Sequence, residues 1–181
     1  MIRKLALITY YLILKRLPNS TFPFFGPVSE KLRYSCCRHI FKECGKNVNI
    51  GQNARFGTGK NIVIGYNSGI GINAKVPDNI IIGEHVMMGE NVTVFGSNHA
   101  FERTDIPMTK QGFKTYPPVV IEDDVWIGNN SIILAGRIIK KGSIVAAGTV
   151  LTKDFPEYSI IGGNPSRLLK SRLDIAKPKH E

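Results

Sequence analysis

The segment IEDDVWIGNNSIILAGRIIKKGSIVAAGTVLTKDFP, residues 121–156, keeps a six-residue beat. Its leads are Ile121, Ile127, Ile133, Ile139, Val145 and Leu151, all aliphatic. A helix would return apolar residues near every 3.6 positions and a plain strand would alternate at 2, so neither period accounts for the pattern. A beat of six implies a short strand, then a corner, repeated. Gly and Asn serve such corners because they accept positive φ at little cost. Three units close one coil of about 18 residues, and repeats of this kind mark parallel β-helices. Coils stacked about 4.8 Å apart would form a parallel sheet on each face around a column of aliphatic side chains.

The beat extends upstream through Ile50 and Phe56, then through Ile64, Ile70, Val76, Ile82, Met88 and Val94. Between Phe56 and Ile64 it slips by two residues. Small or β-branched residues recur four places after many leads: Ala54, Ser68, Ala74, Val86, Val92, Val125, Ser131 and Thr149. Between Asn98 and Pro118 the beat stops, with His99 at the break. A loop of about twenty residues within a compact domain usually has a function. Phe101, Phe113 and Tyr116 within it are available to cover an acceptor or a neighbouring subunit.

The chain of 181 residues suits one domain with a small appendage. Its net charge of +10 is unevenly placed: residues 1–46 carry +7, residues 47–152 carry +1 and residues 153–181 carry +2. An anionic membrane surface attracts a basic arm, whereas nucleic acid is disfavoured because no binding motif or interleaved aromatic pattern accompanies the charge. The apolar run Leu5–Leu14 is too short to span a bilayer, which takes about 20 residues. It reads as a helix ended near Pro18, either interfacial or packed on the protein itself or on a sister subunit. Cys36, Cys37 and Cys44 fit no common zinc spacing or secreted disulfide framework and read as reduced thiols in a cytosolic protein. The expected location is cytoplasmic, with peripheral contact at the inner membrane face left open. GTGK at 57–60 is not a P-loop, since Asn61 follows the lysine.

The segments VVIEDDVWIGNNSIIL, GTVLTKD and GGNPSRLL resemble the hexapeptide-repeat O-acetyltransferases, in the branch that acetylates galactosides, maltose and surface polysaccharides. The arm LPNSTFPFFG…KLRYSCCRHIFKECGKNVNIG is more similar to the polysaccharide-biosynthesis members. The resemblance implies a left-handed parallel β-helix, and a homotrimer whose active sites lie between subunits. The expected organisation is a basic helical arm over residues 1–45, a β-helix over 46–164 with an extended loop at 98–118, and a C-terminal helix and tail over 165–181, the helix near 165–175.

Transfer of acetyl from acetyl-CoA to a sugar hydroxyl requires a base, and histidine suits that task. Of four histidines, His39 lies in the arm, His180 in the tail and His85 at a coil corner. The match SNHAF carries the family's catalytic role to His99. Asn98 is a candidate to orient this base or touch the acceptor, and Asn73 is a candidate acceptor contact. For the donor, the resemblance implies Asn129 and Ala147 along the pantetheine arm and thioester, with Trp126 at the thioester end. It implies Thr152, Lys153, Arg167 and Lys170 at the coenzyme phosphates, which basic side chains pair with well.

Two other classes share the repeat. A carbonic-anhydrase-type zinc site needs three histidines from neighbouring faces, and the close-spaced pair is missing, so no metal is expected. A non-catalytic scaffold remains as an alternative, as does N-acetylation of an amino sugar or nucleotide sugar.

Overall fold

The computed structural model describes residues 1–175. Its body is a parallel β-helix of about six turns, preceded by helices α1 (Ile2–Leu12) and α2 (Gly26–Cys37). The first face stacks Glu43–Cys44, Val63–Ile64, Ile81–Ile82, Val120–Ile121 and Ile138–Ile139 in parallel. The second runs from Asn49–Ile50 and Gly69–Ile70 through Met87–Met88, Trp126–Ile127 and Ile144–Val145 to Ser159–Gly162. The third joins Arg55 and Lys75 to Thr93–Val94, Ile132–Ile133 and Val150–Leu151.

Register explains each irregularity of the beat. Trp126 pairs with Ile144, 18 residues on, as the regular coil requires. Glu43 pairs with Val63, 20 residues on, so the first coil absorbs the two-residue slip. Ile81 pairs with Val120, 39 residues on, so a long insertion leaves the coil between them. Every lead is buried apart from the half-buried Met88, and so are the small residues four places later. Burying this stack of Ile and Val drives the winding, at about 25 cal/mol per Å² of apolar surface removed from water. One corner column is built from Asn53, Asn73, Asn91 and Asn130, all at positive φ. Asparagine tolerates this left-handed conformation better than most residues.

A coil at the end of a stack has an open edge of unpaired backbone groups, and the arm closes it. Arg33 is buried and donates to the carbonyls of Ile50 (2.7 Å), Leu17 (3.1 Å) and Pro18 (3.0 Å). Tyr10, also buried, donates to the Ala54 carbonyl at 3.0 Å and stacks on Phe56, with ring centroids 4.6 Å apart. The inner side of α1 thus packs on the protein's own body. Its outer side leaves Ile2, Leu5, Ile8 and Leu12 exposed.

Three expectations are corrected. The β-helix begins at Glu43, before the expected boundary at 46, because Glu43–Cys44 pairs with Val63–Ile64. The segment at 98–118 is not wholly loop: Ser97–His99 pairs antiparallel with Phe113–Thr115 at its root, and a single 3-10 turn, Met108–Lys110, interrupts the loop between them. Most of the segment expected as C-terminal helix is strand. Arg167–Ser171 pairs antiparallel with Ser159–Gly162, covering the edge of the second face, and only Arg172–Ile175 (α3) is helical. The tail beyond 175, with His180, lies outside the described residues.

Candidate active site

His99 closes the first strand of the hairpin and is exposed. Its partner across the hairpin is Phe113, and their rings lie 4.4 Å apart, centroid to centroid, at 31°. Asn98 does not hold the imidazole. Its Oδ1 accepts the His99 backbone N–H at 2.9 Å, which fixes the main chain at the root of the arm. Two ion pairs stiffen the arm further out, Lys114 with Glu102 at 2.6 Å and Arg103 with Asp105. The Lys114 ammonium, with the Phe101 backbone N–H, holds the Glu102 carboxyl down at about 2.

The corner at which the third face turns into the first carries a cavity of about 270 Å³, lined by Ser97, Asn98, Tyr116, Arg137 and Thr152 among others. Thr152 donates its N–H to Ser166 Oγ at 3.0 Å, and the two hydroxyls lie 3.1 Å apart. This ties the corner to the turn before Arg167. Lys153 sits over the Phe155 ring at 5.5 Å. Lys153, Arg167 and Lys170 are exposed, and no ion pair among the described residues engages them.

Asn129 and Ala147 occupy successive rungs of the opposite corner, between the second and third faces. Asn129 Oδ1 accepts the Glu90 N–H at 3.0 Å, and its carbonyl accepts the Gly148 N–H at 2.9 Å. A Cβ at Gly128 would stand 2.5 Å from the Ala147 nitrogen, so the two rungs close only around glycine. Trp126 projects from the second face beside Met87, both exposed. Asn73 donates to Asn91 Oδ1 at 3.1 Å in the asparagine column.

The structure therefore brings Asn98 and Thr152 together, and Asn129 with Ala147. Within one chain, His99 and Trp126 belong to different faces, and Asn73 lies on the corner column opposite His99. Sequence reading missed Arg137 and Ser166, which no repeat position singles out. It also missed a cluster of Lys15, Arg16, Arg55 and Lys75 around a cleft that includes Asn73. Arg55 and Lys75 each precede a lead, so the phase of the beat alone would have stacked them. The cysteines stay outside this chemistry: burial raises all three thiols, Cys44 up to about 11.

This architecture sets an exposed histidine on an arm leaving a parallel β-helix, with exposed cations at the C-terminal end. The chain is similar to the hexapeptide-repeat transferases: the family described as bacterial transferase hexapeptide (six repeats) matches residues 118–153. A maltose O-acetyltransferase from Clostridium difficile 630 has the same fold, at 27% identity over 93% of this chain and 85% of that one, with a TM-score of 0.73. A hexapeptide-repeat acetyltransferase from Vibrio cholerae matches at 29% identity, over 94% of this chain and 90% of its own, with a TM-score of 0.76. In complex with acetyl coenzyme A it matches at 26% identity, over 94% and 86%, with a TM-score of 0.70. Superposition along the whole coil path requires a shared hand, so the helix is left-handed, as the resemblance implied. A 2,3,4,5-tetrahydropyridine-2,6-dicarboxylate N-acetyltransferase from Staphylococcus aureus is 44% identical over 64 residues, 35% of this chain and 27% of that protein. The chain thus matches about a quarter of the length of such curated relatives.

Proposed function

We propose that this protein transfers acetyl from acetyl-CoA to a hydroxyl of a sugar, in the biosynthesis of a surface polysaccharide, with His99 as general base. The observation that carries the reading is the exposed His99, held by backbone pairing at the root of an arm on the third face. A neutral His99 takes the proton from the acceptor hydroxyl, and the oxygen attacks the acetyl carbonyl carbon. The resulting oxyanion is stabilised by backbone N–H donors. Its collapse breaks the carbon–sulfur bond, and the imidazolium returns its proton to the coenzyme thiolate. The products are the acetyl ester and free coenzyme A.

Lys153, Arg167 and Lys170 suit the coenzyme's phosphates, being exposed cations around one end of the coil. Asn129 and Ala147 line the approach of the pantetheine arm. Asn129 and Ala147 lie at the corner between the second and third faces and His99 on the arm at the corner between the third and first, which supports a homotrimer with each site shared between copies. The exposed apolar side of α1, flanked by Lys4 and Arg16, supports peripheral contact with an anionic membrane. Replacing Leu5 and Ile8 by Ser is then expected to reduce co-sedimentation with anionic vesicles; unchanged co-sedimentation would dismiss that contact.

A second reading, N-acetylation of an amino sugar, is favoured by the N-acetyltransferase relative. Thiol release from acetyl-CoA across a panel of neutral sugars, amino sugars, nucleotide sugars and lipid-linked glycans separates the two. Turnover only with amines would replace the hydroxyl reading. No acetyl-CoA binding at equilibrium would sink both.

A further inference from the structure

On the third face, at the end of the stack away from Arg167 and Lys170, a cleft of about 450 Å³ lies between the single-turn helix Leu14–Arg16 and the first coils. Lys15, Arg16, Arg55 and Lys75 line it, and its remaining lining residues are neutral and polar. The chain fixes this gathering of charge in two ways. The Lys15 carbonyl accepts the Asn53 N–H at 2.8 Å and the Arg16 carbonyl accepts from Gln52 at 3.4 Å, which pins the turn to the corner. Arg55 and Lys75 are direct partners across neighbouring coils. Like charges placed directly opposite on adjacent strands repel, and strands lie only about 4.8 Å apart. None of the four cations takes part in an ion pair among the described residues. Burial, and then Arg55 and Arg16, depress the Lys15 ammonium, as a field short of counter-charge would.

We infer that this cleft is an anion site for a pyrophosphate group carried by the acceptor. A single carboxylate would bring one negative charge and two acceptor oxygens to four cations, whereas a pyrophosphate esterified at both ends brings two charges and more acceptor oxygens. A neighbouring hollow shares Arg55 and Lys75 and reaches Gly96 and Ser97. Ser97 opens the strand that ends in His99. The cations and the base thus lie along the same face, so an acceptor anchored by its phosphates would point its sugar toward the arm. This rests on the transfer reading and narrows its substrate class to a sugar diphosphate, borne by a nucleoside or by a lipid.

The test is calorimetric titration of inorganic pyrophosphate into the full chain carrying Lys153→Ser, Arg167→Ser and Lys170→Ser, which removes the cations assigned to the donor phosphates. Adding Arg55→Ser and Lys75→Ser, both exposed and mutually repelling in the parent, is expected to weaken pyrophosphate binding at least tenfold. In the otherwise unsubstituted chain, the same pair is expected to leave acetyl-CoA affinity unchanged. Equal pyrophosphate affinity with and without Arg55 and Lys75 would overturn the site. A parallel loss of acetyl-CoA affinity would overturn it too, by assigning the cations to the donor. Uridine diphosphate and a short prenyl diphosphate then compete against pyrophosphate: displacement by one identifies the carrier, and displacement by neither overturns the acceptor role. Failure of the unsubstituted chain to bind acetyl-CoA would remove the transfer reading alone, since the pyrophosphate titration decides the anion site independently.

Discussion

The imidazole of His99 rests on the ring of Phe113, its register partner across the hairpin, with centroids 4.4 Å apart. Hydrogen bonds hold the main chain at this point, and the aromatic contact restricts the side chain. His99→Ala is expected to lower kcat by about 10²–10⁴, the usual effect of losing a general base, with acetyl-CoA affinity retained. Phe113→Ala leaves the base present but less well aimed, so kcat is expected to fall by roughly tenfold with KM for acetyl-CoA unchanged. Equal turnover in Phe113→Ala and the parent would show that the contact positions nothing.

The arm should loosen in acid before the coils do. Glu102 titrates at about 2 in the folded arm against an ordinary 4.5, held down first by Lys114. A depressed carboxyl contributes stability above its unfolded pKa and loses it as pH falls through the folded value. The support from this pair is therefore complete above about pH 5 and fades between about pH 4.5 and 2. Both partners are exposed, so the effect is local and screened by salt. Amide exchange at Lys114, corrected for its intrinsic pH dependence, is expected to accelerate in that window while amides of the Ile121–Leu151 core hold. Uniform loss of protection would point instead to global unfolding.

Arg33 ties α2 to the open edge of the first coil through the Ile50 carbonyl and to the segment after α1 through the Leu17 and Pro18 carbonyls. Arg33→Met keeps most of the bulk but leaves those carbonyls without their donor. A buried polar group left unsatisfied costs about 1–3 kcal/mol, so a loss of about 3 kcal/mol is expected in denaturant unfolding, with a lower midpoint. Arg33→Lys should recover little of it, because an ammonium does not reproduce the fixed guanidinium fork. A variant as stable as the parent would show that water satisfies these groups equally well.

The coil was legible in the sequence because burial acts on every sixth residue. Ile121, Ile127 and Ile133 face the same core and so share a chemistry. The two-residue slip after Phe56 was legible for the same reason, as the 20-residue offset of the first coil. The hairpin was legible only as an interruption. Its strands pair with each other and not with a neighbouring coil, so the beat could not report their register. Arg, Leu and Lys within the helix expected near 165–175 are good helix formers, yet the free edge of Ser159–Gly162 recruits Arg167–Ser171 as strand. Tertiary pairing overrides weak local propensity. The residues at the site follow the same division. The repeat puts Asn129 and Ala147 at corners, whereas their role toward the donor comes from the resemblance alone. Ser166 could not be placed at all, because its contact with Thr152 depends on a turn outside the repeat.

If each site is shared between copies, two inactive variants should repair one another. His99→Ala removes the base. Ala147→Trp obstructs the corner between the second and third faces, where Ala147 is exposed and its bulk should spare the core. Each variant alone is expected to lose nearly all turnover. In a trimer assembled randomly from equal amounts of both, a shared site is intact when one copy supplies His99 and its neighbour supplies Ala147, which occurs for about a quarter of sites. Unfolding the two together and refolding them should therefore return about a quarter of the parent activity, and mixing the folded trimers should return none until subunits exchange. Refolded mixtures that stay inactive while sedimenting as trimers would place His99 and the donor corner in the same copy.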